Sequence, residues 1–310
     1  MGMTGSYGTA DESESILTIR KALDLGVNLF DTADVYGPFF GEKLLGRALA
    51  GRRDEAIVAT KFGGAEVADS GEIVGAAIGS PEYVRLSVDR SLRNLGTDHI
   101  DLYYQHRVDP RVPVEETFGA LGELVTAGKI RYLGISEASA GTVRRAHASA
   151  PLSAVQTEYS LFSRQVESNG VLATARELGI GFVASSPLGR GFLTGTIQSV
   201  EQILETDLRR GFPRFEEAAL GQNLGLLEEI RPTAAEHQAS LGQVALAWLL
   251  GAGKDIIAIP GTRTSAHLEE NIAASRLPLS AESRRDLAQL VSPDAVIGDR
   301  RSPAETAIQE

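Results

Sequence analysis

The 310-residue sequence contains no cysteine, which excludes a disulfide framework, a thiolate nucleophile and any cysteine-ligated metal. Positive charge is the minority sign: 30 Lys and Arg stand against 41 Asp and Glu, a formal charge of −11. That balance argues against a nucleic-acid or anionic-membrane surface unless the basic residues cluster. They do not; Arg52-Arg53, Arg144-Arg145, Arg209-Arg210 and Arg300-Arg301 are scattered pairs. Long apolar runs are missing too. The longest, residues 244–250, falls far short of the roughly 20 residues a membrane-spanning helix needs, so a soluble protein is expected. Residues 1–15 are small and acidic, without the basic-then-apolar order of a secretory leader. With the missing cysteines, this fits a cytoplasmic protein.

What is present is a composition able to build a core, 43% hydrophobic and 23% charged. One large domain over residues 1–297, followed by a loose tail at 298–310, is the expected organisation. Short apolar runs near 27–30, 56–61, 100–104, 132–135, 154–156, 181–184 and 256–259 read as buried strands, each followed by at least one helical pattern. Helices are expected at 42–50, 81–95, 114–127, 140–150, 170–178, 224–236, 241–250, 266–274 and 281–290, after a first one opened by Asp11 or Ser13 and closed by Gly26. Ser80-Pro81-Glu82 is a strong start signal, with a capping hydroxyl before a first-turn proline. The long interval 192–223 shows no period and reads as a surface excursion.

Alternating strands and helices at this spacing mean a parallel sheet buried on both faces. An open nucleotide-binding sheet would carry a G-x-G-x-x-G turn after its first strand, whereas the early strand here leads into Asp31-Thr32-Ala33-Asp34. The expected fold is therefore an α/β (β/α)8 TIM barrel. Only seven strands are found, because Met1 to Gly5 is too short for another before the first helix. Two explanations stay open: the first strand lies upstream, or the barrel closes imperfectly.

In such barrels reactive groups gather at the carboxyl ends of the strands. Asp31, Lys61 and His106 each follow a different strand, and Tyr36 lies five residues along the loop from Asp31. Asp31 alone would read as a turn cap, and Tyr36 beside Gly37-Pro38 as turn packing; coincidence with Lys61 and His106 at strand ends favours chemistry. An ammonium ~4 Å from a phenol, at an effective dielectric of ~20, favours the phenolate by roughly 4 kcal/mol before burial takes some back. Lys61 is thus expected to bring Tyr36 toward working pH, with Asp31 keeping the lysine charged. Asp98, His99 and Asp101 suggest a metal cluster, but one of them is a strand residue pointing the other way, so no metal site is expected. Gly189 to Gly195 lacks the lysine of a phosphate-binding NTPase loop.

These stretches resemble the aldo-keto reductase family, in particular its short-loop bacterial and plant NADPH-dependent members. The matching segments are 23–37 with Phe30-Asp31-Thr32-Ala33-Asp34-Val35-Tyr36-Gly37, Ala59-Thr60-Lys61-Phe62-Gly63, 101–109 around His106, Gly134-Ile135-Ser136-Glu137, Gln156-Thr157-Glu158-Tyr159-Ser160-Leu161, Ser186-Pro187-Leu188-Gly189-Arg190-Gly191 and Ile259-Pro260-Gly261-Thr262-Arg263. They run in family order. The resemblance implies NADPH-dependent reduction of a small-molecule aldehyde or ketone, with Tyr36 protonating the oxygen and Asp31, Tyr36, Lys61 and His106 as the catalytic four. It further implies Ser136 and Gln156 on the carboxamide with Glu137 beside them. Pro187, Leu188, Gly189 and Gly191 would lie along the pyrophosphate, and Gly261, Thr262, Arg263, His267, Glu270 and Asn271 around the adenosine end. Free N–H groups at a helix start together with Arg263 suit a 2′-phosphate, which favours NADP(H). Ser185 stands where relatives carry an aromatic that stacks on the nicotinamide, and the family's amino-terminal hairpin is not found. The rival reading is a non-enzymatic NADPH-binding sensor resembling potassium-channel β subunits.

Overall fold

The computed structural model describes residues 1–76 and 78–302. Its strands are β1 (Leu29–Asp31), β2 (Ile57–Phe62), β3 (Glu66–Val67), β4 (Ile73–Gly75), β5 (Ile100–Gln105), β6 (Ile130–Ser136), β7 (Leu152–Glu158), β8 (Gly181–Ser185) and β9 (Ile256–Ala258). Seven of them form one all-parallel sheet in the order β1-β2-β5-β6-β7-β8-β9, curled with helices outside as an incomplete (β/α)8 barrel. Among the described residues β1 and β9 are the sheet's edges, as the sequence count of seven anticipates. Residues 1–8 run near that gap, where Ser6 accepts from the Leu208 amide at 3.0 Å and Gly2 and Gly8 approach the Arg263 side chain.

The helices are α1 (Glu12–Asp24), α2 (Phe40–Ala48), α3 (Pro81–Leu95), α4 (Val114–Thr126), α5 (Ala140–Ser149), α6 (Val171–Glu177), α7 (Glu217–Glu236), α8 (Leu241–Leu250), α9 (Ser265–Ala273) and α10 (Ala281–Leu290). Their starts follow capping chemistry. Asp11 accepts from the Glu14 amide at 2.7 Å, Ser80 from Tyr83, and Ser240 with Gln243 closes a reciprocal box. Gly96, at φ +65, ends α3 in the left-handed conformation a glycine adopts without strain.

Parallel register sets which residues share a face. Asp31 pairs with Ala59, Lys61 with Tyr104, Tyr104 with Gly134 and Ser136 with Gln156. One face, with Val58, Phe62, Tyr103 and Phe182, packs on the helices; the other, Ala59, Leu102, Tyr104, Ala154 and Val183, fills the barrel with Leu29 and Ile259. Gly134 makes room for Tyr104, since a Cβ there would stand 2.3 Å from the tyrosine ring.

Three features differ from the sequence reading. The interval 64–79, for which the sequence marks no element, holds the antiparallel hairpin β3–β4. Helix α7 starts at Glu217, seven residues earlier than its apolar period indicates, and carries Pro232 inside it. The stretch from Gly298 is anchored instead of loose, because Arg300 and Arg301 both donate to Glu137; residues 303–310 lie outside the described residues. No described helix is long and apolar enough to cross a membrane.

Candidate active site

The carboxyl ends of β1, β2, β5, β6 and β7 converge on one buried ion pair. Lys61 follows Thr60 on β2, and register turns its side chain to the barrel interior, where it is wholly buried. Its Nζ donates to Asp31 Oδ1 and, at 2.8 Å, to the Thr32 carbonyl. The second oxygen of Asp31 accepts from Gln156 Nε2 at 2.9 Å. A buried ammonium is tolerable only with such partners. Three strands are thereby locked together through Asp31.

Tyr36 and His106 complete the cluster. Lys61 Nζ lies 5.5 Å from the centre of the Tyr36 ring and 5.7 Å from that of Tyr104 beneath it. The Tyr36 and His106 rings meet edge to face, 5.9 Å apart at 85°. His106 Nδ1 and the Tyr104 hydroxyl are buried without a partner among the described residues. Gly64 packs on the imidazole so closely that a Cβ there would sit 2.6 Å from Nδ1. His106 titrates well below the ordinary histidine range, first through burial and then through Arg107 and Lys61. It is therefore an uncharged imidazole near neutral pH.

Lys61 acts on Tyr36 in the expected direction, but the net shift is the reverse of the one expected. Burial is the largest influence and raises the Tyr36 pKa above that of a free phenol, while Lys61 opposes the rise without reversing it. The hydroxyl is thus held protonated through the neutral range.

Ser136 is buried at the end of β6 beside Gln156, its register partner on β7. Glu137 follows in a left-handed conformation, φ +54, with its carboxylate held by Arg300 and Arg301. Between β8 and α7, Ser186, Gly189, Arg190 and Gly191 all have positive φ, a sharply wound turn after Pro187 in which Leu188 is buried. The amides of Gly189 and Gly191 close that turn on Ser186 and Leu188. On the far side, Thr262 and Thr264 shape the start of α9, next to Gly261, and Arg263 Nη1 donates to the Thr9 carbonyl. His267 donates its amide to the Thr264 cap, and Glu270 accepts from Ser240, so this carboxylate serves the α8 start. Asn271 follows on the same helix. His99 meets both carboxylates, Nδ1 2.7 Å from Asp98 Oδ1 and Nε2 3.6 Å from Asp101 Oδ1, so Asp101 does not point away as the sequence reading has it; among the described residues no group of three acidic or histidine side chains is placed to hold a metal ion.

Tyr104 was not anticipated from the sequence. The signal was there: alternation from Leu102 puts Tyr104 and His106 on the interior face, with Tyr103 outside. Arg300 and Arg301, by contrast, reach Glu137 across more than half of the chain, and nothing local marks them.

A model of the Aldo/keto reductase family matches residues 1–292. The chain belongs to the aldo/keto reductase family. Among curated relatives, a "Probable aldo-keto reductase 1" of Glycine max is 44% identical over 302 residues, covering 97% of this chain and 86% of that protein. Two solved structures are also similar. The glycerol dehydrogenase AKR11B4 from Gluconobacter oxydans superposes with a TM-score of 0.82 at 29% identity, over 97% of this chain and 91% of that one. The thermostable aldo-keto reductase Tm1743, solved with the inhibitor epalrestat, gives 0.72 at 27% identity over 92% of each chain. This aldo/keto reductase is accordingly an oxidoreductase for carbonyl chemistry, in a family that generally uses a nicotinamide dinucleotide.

Proposed function

We propose that the chain reduces an aldehyde or ketone to the alcohol with NADPH, Tyr36 giving the proton. The reading is carried by the meeting of Tyr36, Lys61 and His106 from three separate loops at one point in the barrel mouth, within 5.9 Å by ring and ammonium distances. The residues present fit a dinucleotide: Ser136 and Gln156 stand side by side on β6 and β7, the wound turn of Pro187 to Gly191 follows β8, and Arg263 precedes α9. Among the described residues the buried His106 Nδ1 has no hydrogen-bond partner. When bound, the reduced nicotinamide supplies a hydride to the carbonyl carbon.

The chain's own groups do the rest. A protonated Tyr36 hydroxyl donates to the carbonyl oxygen as charge develops there. Lys61, fixed by Asp31 and Thr32, stabilises the phenolate left behind, and neutral His106 orients the oxygen without competing as an acid. Lys61 is shut off from water, whereas Tyr36 and His106 are half-buried. Arg263 at the start of α9 supports NADPH over NADH, since a guanidinium at a helix start suits a 2′-phosphate.

The direct test mixes the purified protein with NADPH or NADH and a panel of activated aldehydes and ketones while following the nicotinamide absorbance. Faster oxidation with NADPH is expected. Tight dinucleotide binding with no turnover of any carbonyl would favour a sensor instead.

A further inference from the structure

The segment beyond α10 returns to the barrel mouth and is fastened at both ends. Fully buried Asn223 on α7 holds both backbone groups of Ile297 at 2.9 Å, and Arg214 Nε donates to the Gly298 carbonyl at 3.2 Å. Two residues on, Arg300 grips Glu137 in a fork, Nη1 to Oε1 at 3.2 Å and Nη2 to Oε2 at 2.7 Å, and Arg301 Nη2 adds a bond of 2.5 Å to Oε2. The three side chains are only 12%, 19% and 6% exposed. Arg107, next to His106, faces the same carboxylate, and Glu158 lies 3.8 Å from Arg300.

The carboxylate they hold belongs to a strained residue. A non-glycine side chain seldom adopts φ +54, and such a conformation persists only where its surroundings over-determine it. Here Glu137 also takes the Glu158 amide on Oε1 and gives its own amide to the Gln156 carbonyl, both at 2.9 Å. Its left-handed turn therefore fixes where β6 ends, and with it the direction of Ser136 beside Gln156 and, through Gln156, the setting of Asp31.

We propose that Arg300 and Arg301 are positioning residues for the nicotinamide end of the dinucleotide site, acting through Glu137 to hold the β6 end in the turn that presents Ser136. The proposal rests on the dinucleotide reading above. It separates the two ends of the ligand, because the adenosine end is built some way round the barrel, at Arg263 and α9.

That separation gives the test, by fluorescence titration of the full chain with NADPH and with adenosine 2′,5′-bisphosphate, which lacks the nicotinamide. For Arg300→Gln and for Arg300→Gln/Arg301→Gln, the NADPH Kd is expected to rise about tenfold or more while that of the bisphosphate stays within about twofold. Arg300→Lys should recover part of the loss, since lysine keeps the charge without the fork. Because Arg300→Gln/Arg301→Gln strips both of these guanidinium bonds from a buried carboxylate, Glu137→Gln/Arg300→Gln is measured as well. It should fold stably and show the same selective loss of NADPH affinity. Unchanged NADPH binding, or an equal loss for both ligands, would overturn the proposal while leaving the dinucleotide reading intact. A parent protein that binds neither ligand would sink both.

Discussion

Replacing Lys61 with methionine, which keeps length and removes charge, should separate the two tasks given to this side chain. The structural task is visible in the burial: Lys61 is fully buried and Asp31 only 10% exposed, so Asp31 would lose its ammonium partner and keep the hydrogen bond from Gln156. Breaking a buried pair on one side costs about 3–5 kcal/mol. For a chain of 310 residues that corresponds to a fall in Tm of roughly 5–8 °C. The chemical task follows from distance. Nζ lies beside the Tyr36 ring, and at a charge separation of ~5 Å and an effective dielectric of ~20 an ammonium stabilises a phenolate by roughly 3 kcal/mol. If that is expressed at the transition state, kcat falls about a hundredfold. Lys61→Met/Asp31→Asn distinguishes the effects, since it removes both charges. Thermal unfolding should show most of the stability restored, while steady-state turnover stays low. Recovery of kcat in the double variant, or a kcat within about threefold of the parent in Lys61→Met, would refute the assignment.

Other predictions follow from close contacts and burial. Gly64→Ala would place a methyl 2.6 Å from His106 Nδ1, so kcat/KM should drop at least about tenfold with little change in the far-ultraviolet dichroism. Asp34 is buried with neither carboxylate oxygen partnered among the described residues, and its pKa is raised to about 8, chiefly by burial and then by Glu42. Between an unfolded value near 4 and about 8, the folded chain keeps a proton that the unfolded chain has lost. Stability therefore falls as pH rises through that window. Asp34→Asn, neutral throughout, should raise Tm relative to the parent at about pH 8 and give no gain at about pH 4. A gain of equal size at both would show that charge is not the cause.

Much of the fold is legible because its elements are marked locally. Ser80-Pro81 opens α3, Gly96 closes it, and β5 carries the dense apolar run of a strand buried on both faces. Asp31, Lys61 and His106 are legible for the same reason, each standing where a strand ends. Features set by distant contacts were not. Helix α7 gains its first turn from the short 3-10 turn Pro213–Phe215 before it, not from its own period. The hold of Arg300 and Arg301 on Glu137 joins residues 163 and 164 positions apart. The raised pKa of Tyr36 illustrates a further limit, since sequence places an ammonium near a phenol but does not say how deeply both are buried.

The most direct test of the account removes one oxygen. Tyr36→Phe deletes the proposed proton donor and leaves the ring, Lys61 and the proposed dinucleotide-binding residues in place. Steady-state carbonyl reduction should fall by about two to four orders of magnitude, with NADPH affinity within about twofold of the parent. A Tyr36→Phe protein that reduces carbonyls at the parent rate would contradict the central claim.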